Sequence, residues 1–196
     1  MQINIVGYAM IFLLLVISIR IYKESDFIHL KCIISDVDGK RYCVRERKKL
    51  ELAADLLANV NEKMSKLVDH VNTKYPNRNN IKRLKKGYNP KKIYETLPTS
   101  EYTAYSQNKG EKLAFCLDTE KKGGQLIDIN TLTFVAIHEL SHIASKSTGH
   151  TEEFWKNFKF LLQEARRINV YKPENYKEKS KRYCGMNITD NPIFDL

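Results

Sequence analysis

No two cysteines stand in a Cys-x-x-Cys spacing; Cys32, Cys43, Cys116 and Cys184 are scattered singly. That disfavours a zinc ribbon. No lysine or arginine precedes the apolar stretch near the start of the chain, and no small-x-small cleavage site follows it. Both absences argue against a cleaved signal peptide. There is no internal repeat, and no nucleic-acid-binding motif is recognisable. Histidine is scarce, with five residues in 196, yet three fall between positions 138 and 150. Such clustering in a histidine-poor chain points to a metal site.

What is present bounds the rest. A hydrophobic content of 42% supports a real core and excludes wholesale disorder. The length allows one domain of ordinary size plus an appendage. The net charge of +10 favours anionic partners such as nucleic acid, lipid headgroups or acidic proteins, without choosing among them. Residues 3 to 19 carry no charge and are mostly Ile, Leu, Val, Phe and Met, at the short end of what spans a bilayer. We expect a retained anchor over residues 1–23 and a single domain over 24–196. Arg20 and Lys23 follow the stretch, so the positive-inside rule places the domain on the cytosolic side of a single-pass protein.

Residues 28 to 46 read as a β-hairpin. Ile28, Leu30, Ile33 and Ile34 lead into Asp38-Gly39, and Tyr42 and Val44 resume the alternation. Cys32 and Cys43 flank that turn and can face each other across it; the other reading of each cysteine is a small buried hydrophobe. Leu50, Ala53, Leu57, Val60, Met64, Leu67 and Val71 recur at helical spacing, which predicts an amphipathic helix over 47–74 ending at Pro76. His70 reads as a partly exposed residue of that helix and not a ligand. Residues 77–92 read as a basic connector with Gly87 and Pro90 breaking any long helix. Its cations, from Arg78 to Lys92, make 78–92 a candidate contact for nucleic acid or lipid headgroups. A strand is expected within 101–118, entered through a turn at Asn108-Lys109-Gly110, with Lys112 to Leu117 as a candidate edge strand for an extended substrate. A long helix begins after Asp128 or Asn130, another runs from about Thr151 to Ile168, and 171–196 reads as irregular.

The chemistry lies in His138-Glu139-Leu140-Ser141-His142. On a helix, positions four apart share a face, so two imidazoles can grip one cation while Glu139 reaches a water beside it as general base. Catalytic zinc takes three protein ligands and leaves a position open. Gly149 lets the chain turn back and His150 follows, which makes His150 the favoured third ligand. Glu164, twenty-two residues beyond His142, is the rival. Thr151 is placed to cap the next helix, with Phe154 and Trp155 packing beneath the site. Tyr183 is a candidate second donor to the oxyanion. A zinc kept only for stability is the competing reading; it would use a fourth ligand, for which Cys184 is available.

The turn at 108–110, the strand 112–117, the helix 131–142, the Gly149-His150 turn and Phe154-Trp155 together resemble the WLM family of metallopeptidases, relatives of the SprT-like proteases. The hairpin 28–46, the helix after it and Tyr183-Cys184-Gly185-Met186 are similar to WLM-like proteins of large DNA viruses, many with an N-terminal anchor. The resemblance implies a zincin-like α+β domain, a Zn2+ cofactor on His138, His142 and His150, and catalytic Glu139 acting on a protein substrate. The alternative is a non-catalytic, zinc-stabilised membrane or virion protein. Two departures stand out. Seven residues separate His142 from His150 where the family pattern has five. Family members act on proteins crosslinked to DNA, whereas this chain carries a membrane anchor, so that substrate does not transfer.

Overall fold

The computed structural model describes residues 5–24, the last two by backbone alone, and 30–195. Ile3 and Asn4 of the apolar stretch, and Ile28 and His29 of the expected hairpin, lie outside them. The first element is α1 (Ile5–Glu24). Twenty residues rising 1.5 Å each give about 30 Å, the thickness of a hydrocarbon core. None of its Ile5–Tyr22 stretch is buried. The helix is long and apolar enough to cross a membrane.

The remaining elements form a mixed α+β fold around one five-stranded sheet of order β1-β2-β3-β5-β4. The expected hairpin is β1 (Leu30–Ile34) and β2 (Arg41–Arg45), paired antiparallel with Cys32 opposite Cys43. Those two cysteines form a disulfide, Cα to Cα 3.9 Å. The predicted amphipathic helix is α2 (Leu50–Lys74), and its stripe from Ala53 to Val71 is fully buried. Tyr75, ahead of Pro76, has left helical geometry.

The basic connector is more structured than expected. It contains a nine-residue helix, α3 (Asn79–Gly87), because Ile81 and Leu84, one turn apart, both bury. Several of its cations are also engaged within the fold. Arg83 donates to the Ala144 carbonyl and to Glu153, Lys85 pairs with Asp69, and the Arg78 guanidinium sits 4.5 Å from the Tyr75 ring centre. Lys82, Lys86, Lys91 and Lys92 stay exposed.

Next comes β3 (Ile93–Glu95), a strand too short for its periodicity to show in the sequence, parallel to both β2 and β5. The stretch 101–118 holds two strands, β4 (Ala104–Gln107) and β5 (Lys112–Phe115), joined at Asn108, Lys109 and Gly110, all at positive φ. This overturns one expectation. β5 lies between β3 and β4 with both sides paired, so the edge strand is β4.

Two helices carry the histidines. Asp128 caps α4 (Ile129–Ala144) by accepting from the Thr131 N–H, and Thr151 caps α5 (Glu152–Arg167) by accepting from Phe154 N–H. Nearly all of α4 is buried because it packs against α2, α3, α5 and the β4–β5 end of the sheet. A helix enclosed this way is a rigid mount for a site. The tail 171–196, expected to be irregular, contains a short hairpin, β6 (Lys181–Tyr183) and β7 (Met186–Ile188), and a 3-10 turn at Pro192–Phe194.

Candidate metal centre

The helical geometry of α4 sets the site. His138 and His142 are one turn apart, and their Nε2 atoms lie 3.2 Å from each other. The chain leaves the helix at Ser145, loops back through Gly149 at φ +81, and delivers His150 with its Nε2 3.0 Å from that of His138. One ligand atom from each histidine lies within 4.8 Å of the others. Zinc–nitrogen bonds of 2.0–2.1 Å in a tetrahedron put neighbouring nitrogens roughly 3.3 Å apart. Three imidazole nitrogens at these separations therefore fit one cation of that size. Among the described residues the cluster comprises these three side chains.

The surroundings keep the donors in ligand form. Burial, and the charges His142 and His150 would carry, push His138 down to about 3. Burial first, then His150 and Lys109, hold His142 at about 4. Neutral imidazoles at ordinary pH are what a cation requires. Phe154 stacks on the His142 ring at 4.3 Å and packs edge-on to His138 at 4.8 Å, fixing both rings. Phe154 is buried beneath the site as expected, whereas Trp155 remains 44% exposed at its rim. Glu139 points into the same cleft and is 5% exposed. Burial alone raises its carboxyl to about 8.

Seven residues separate His142 from His150, and the structure shows what holds that loop. The Glu153 carboxylate accepts from the backbone N–H of Lys146 and Ser147 and from the Ser147 hydroxyl. Those bonds hold it at about 2. Lys109 donates its Nζ to the carbonyls of His142, Ser145 and Ser147. In the sequence Glu153 stands simply in the first turn of the helix that Thr151 caps, and Lys109 in the turn 108–110. No local pattern announces either brace, because their partners come from other elements.

The structure engages three further candidates elsewhere: Glu164, the rival third ligand, Cys184, the fourth ligand of the competing reading, and Tyr183, the candidate oxyanion donor. Glu164 faces away from the cluster: His70 Nε2 at 2.9 Å, the Tyr75 hydroxyl at 2.9 Å, Lys74 at 3.1 Å and Arg167 all engage its carboxylate. Its geometry is that of a buried ion-pair centre, and His70 is its partner. Cys184 is bonded to Cys116, which removes it as a fourth ligand. Tyr183 lines the cleft, but its hydroxyl donates to the Thr103 carbonyl just before β4. It holds the start of the edge strand.

The three histidines and Glu139 open into a cleft of about 1460 Å³, bounded by β4 on one flank and by the β6–β7 hairpin on another. Residues 79–193 match the WLM domain family model. An uncharacterized protein of Acanthamoeba polyphaga mimivirus is 31% identical over 194 residues, covering 93% of this chain and 92% of that protein. An uncharacterized protein of Invertebrate iridescent virus 6 is 33% identical over 82 residues, 41% of this chain and 44% of its own length. Another, of Invertebrate iridescent virus 3, is 32% identical over 83 residues, 42% of this chain and 50% of its own length. No solved structure matches the chain.

Proposed function

The chain belongs to the WLM domain family, with relatives in large DNA viruses, and on that premise we propose that it is a membrane-anchored, zinc-dependent peptidase with a zincin-like catalytic domain. His138, His142 and His150 hold the zinc, and Glu139 is the general base. The carrying observation is the convergence of three imidazoles beside a buried carboxylate at the wall of an open cleft. Zinc bound there supplies Lewis acidity and lowers the pKa of water to about 7.

The chain's own groups do the rest. Glu139 takes the proton of the attacking water and returns it to the leaving amine. β4, the free edge beside the cleft, offers backbone N–H and C=O groups to an extended polypeptide. A substrate laid along it meets the metal side chains without further folding. The structural-zinc alternative needs a closed shell of four ligands. Cys184 is committed to a disulfide, and no fourth donor joins the three histidines among the described residues.

Localisation follows from α1 as the membrane span. Two signals oppose each other on which side the domain lies. Arg20 and Lys23 point to the cytosol by two charges. All four cysteines pair, and disulfides persist in oxidising surroundings. We weigh two covalent crosslinks above two charges and place the domain on an oxidising side. The exposed lysines Lys82, Lys86, Lys91 and Lys92 remain the residues through which an anionic partner would be met.

The test uses the full chain in detergent and a denatured protein substrate. Zinc-loaded parent cleaves; chelator or Glu139→Gln lowers the rate at least about a hundredfold, the scale of a general base. Glu139→Gln retains its zinc. Cleavage that survives both treatments, or zinc lost with Glu139→Gln alone, overturns the assignment.

A further inference from the structure

Apolar side chains cluster in the cleft beside the histidines. On α4, Val135 precedes His138 by three residues and Glu139 by four, and Phe134 precedes His138 by four. Helical spacing puts both directly beside the metal side chains, and both line the cleft. Phe158 packs on Phe134 with ring centres 5.1 Å apart and extends the same surface. Facing them from the C-terminal segment, Met186, Ile188 and Pro192 also line the cleft. The lining also includes polar Gln107, Asn108, Lys109 and Thr148, and Asn187 and Thr189 interleave with Met186 and Ile188. Met186 is 49% exposed, a large apolar side chain left open at the site.

The hairpin that supplies Met186 and Ile188 has only three residues in each strand. A two-stranded unit that short does not hold its shape alone in water. It is tied to the segment after β5 instead. Cys184 is bonded to Cys116, its N–H donates to the Asp118 carbonyl at 3.0 Å, and Gly185 N–H donates to Thr119 at 2.8 Å. Arg182 adds a two-pronged ion pair with Glu120 at 2.8 and 3.1 Å. Cys184 itself sits at φ +49, a region that a residue with a Cβ occupies only under constraint. The hairpin also meets the residue just before the edge strand, since the Thr103 hydroxyl approaches the Met186 sulfur at 3.7 Å.

We propose that the β6–β7 hairpin is the specificity wall of the cleft. Together with Phe134 and Val135 it selects an extended polypeptide carrying a bulky apolar side chain next to the metal site, and the Cys116–Cys184 disulfide holds the wall in place. This inference rests on the peptidase reading but is measured by binding, so the two fail separately. Full-length Glu139→Gln protein in detergent, loaded with zinc, is titrated with two labelled peptides that differ only in a central leucine or serine, and anisotropy gives each affinity. The leucine peptide binds about tenfold or more tighter, the usual return on filling an apolar pocket. Met186→Ala/Ile188→Ala brings the two affinities together while zinc content and helical circular dichroism hold. Cys116→Ser/Cys184→Ser does the same, as does mild reduction of the disulfide-bonded protein. Equal affinities for both peptides in the starting protein, or no binding of either, overturns the proposal. So does a leucine preference that survives the Met186/Ile188 substitutions. Should the cysteine variant fail to fold, the Met186/Ile188 pair, exposed and half-buried respectively, still decides. Chelator-sensitive cleavage by the parent separately decides the peptidase reading.

Discussion

Glu164→Ala separates a structural carboxylate from a metal ligand. Glu164 is buried with 1% of its side chain exposed, and four groups converge on it: His70, Lys74, Tyr75 and Arg167. Removing one partner of a buried pair costs 3–5 kcal/mol when the other charges are stranded. Here Lys74 and Arg167 are 43% and 58% exposed and recover water, so the lower end, about 3 kcal/mol, applies. A second route agrees. Hydrogen bonds from His70, Tyr75 and Lys74, with the Arg167 charge, outweigh the upward push of burial and take the carboxyl from 4.5 to about 2. That difference corresponds to roughly 3 kcal/mol. The sign follows from the depressed value: the stabilisation is complete above the unfolded pKa and is lost as pH falls from about 5 to 2. Glu164→Ala should therefore lower the thermal midpoint by about 6–12 °C at neutral pH for a chain of this size. The gap to the parent should close on acidification. Zinc affinity, read by competition with a chromogenic chelator, should change by less than about threefold, because Glu164 touches none of the three histidines. Loss of zinc with an unchanged midpoint would refute this and return Glu164 to the metal.

His150→Ala should weaken zinc binding strongly by the same competition assay, and Glu153→Ala should weaken it less, since it loosens the 145–150 loop without deleting a ligand; parity with the parent in both would sink the third-ligand assignment. Gly110→Ala should destabilise by about 3 kcal/mol in denaturant melts, because a Cβ there meets the Gly87 carbonyl at 2.4 Å and the backbone sits at φ +107; a neutral effect would show that the approach of α3 to the β4–β5 turn is looser than described. Alkylation of unfolded, unreduced full chain should modify no cysteine, and four after reduction; four reactive thiols without reductant would return the domain to a reducing side. Carbonate washing should leave the full chain in the membrane, since an apolar helix is not displaced by charge; release would remove α1 as an anchor.

What the sequence made legible depended on the range of the interaction that fixes each feature. α2 was readable because its stripe repeats for about six turns, and α4 and α5 because Asp128 and Thr151 are local caps. His138 and His142 were readable because helix geometry alone sets them side by side. β3 was not, since three residues carry no period and are held by parallel neighbours distant in sequence. The edge position was misjudged for a related reason: β4 and β5 both alternate weakly, and only the pairing of β5 with β3 shows which one is free. α3 hid inside a basic stretch because two buried residues, Ile81 and Leu84, suffice once α4 supplies the surface to cover them. Cys32–Cys43 was within reach because a hairpin opposes its own strands, whereas Cys116–Cys184 joins positions 68 residues apart.

The long loop before His150 brings these scales together. A third ligand on a lengthened loop loses precision unless something outside the loop restores it, because each added residue must be ordered at about 1–2 kcal/mol of backbone entropy. Here the restoring groups come from three directions. Glu153 reaches back from α5, Lys109 reaches across from the β4–β5 turn, and Arg83 from α3 binds both Glu153 and the last carbonyl of α4. Arg83 and Lys109 belong to stretches that look like a solvated connector and a surface turn. Their charges are directed at the carbonyls and the carboxylate that frame the loop, so part of the basic character near α3 is engaged in holding the loop that carries His150. Arg83→Met tests that role. It keeps the bulk, removes the donors, and should weaken zinc binding in the chelator competition while leaving the salt dependence of membrane or polyanion association unchanged. A variant with native zinc affinity but altered salt dependence would assign Arg83 to the surface.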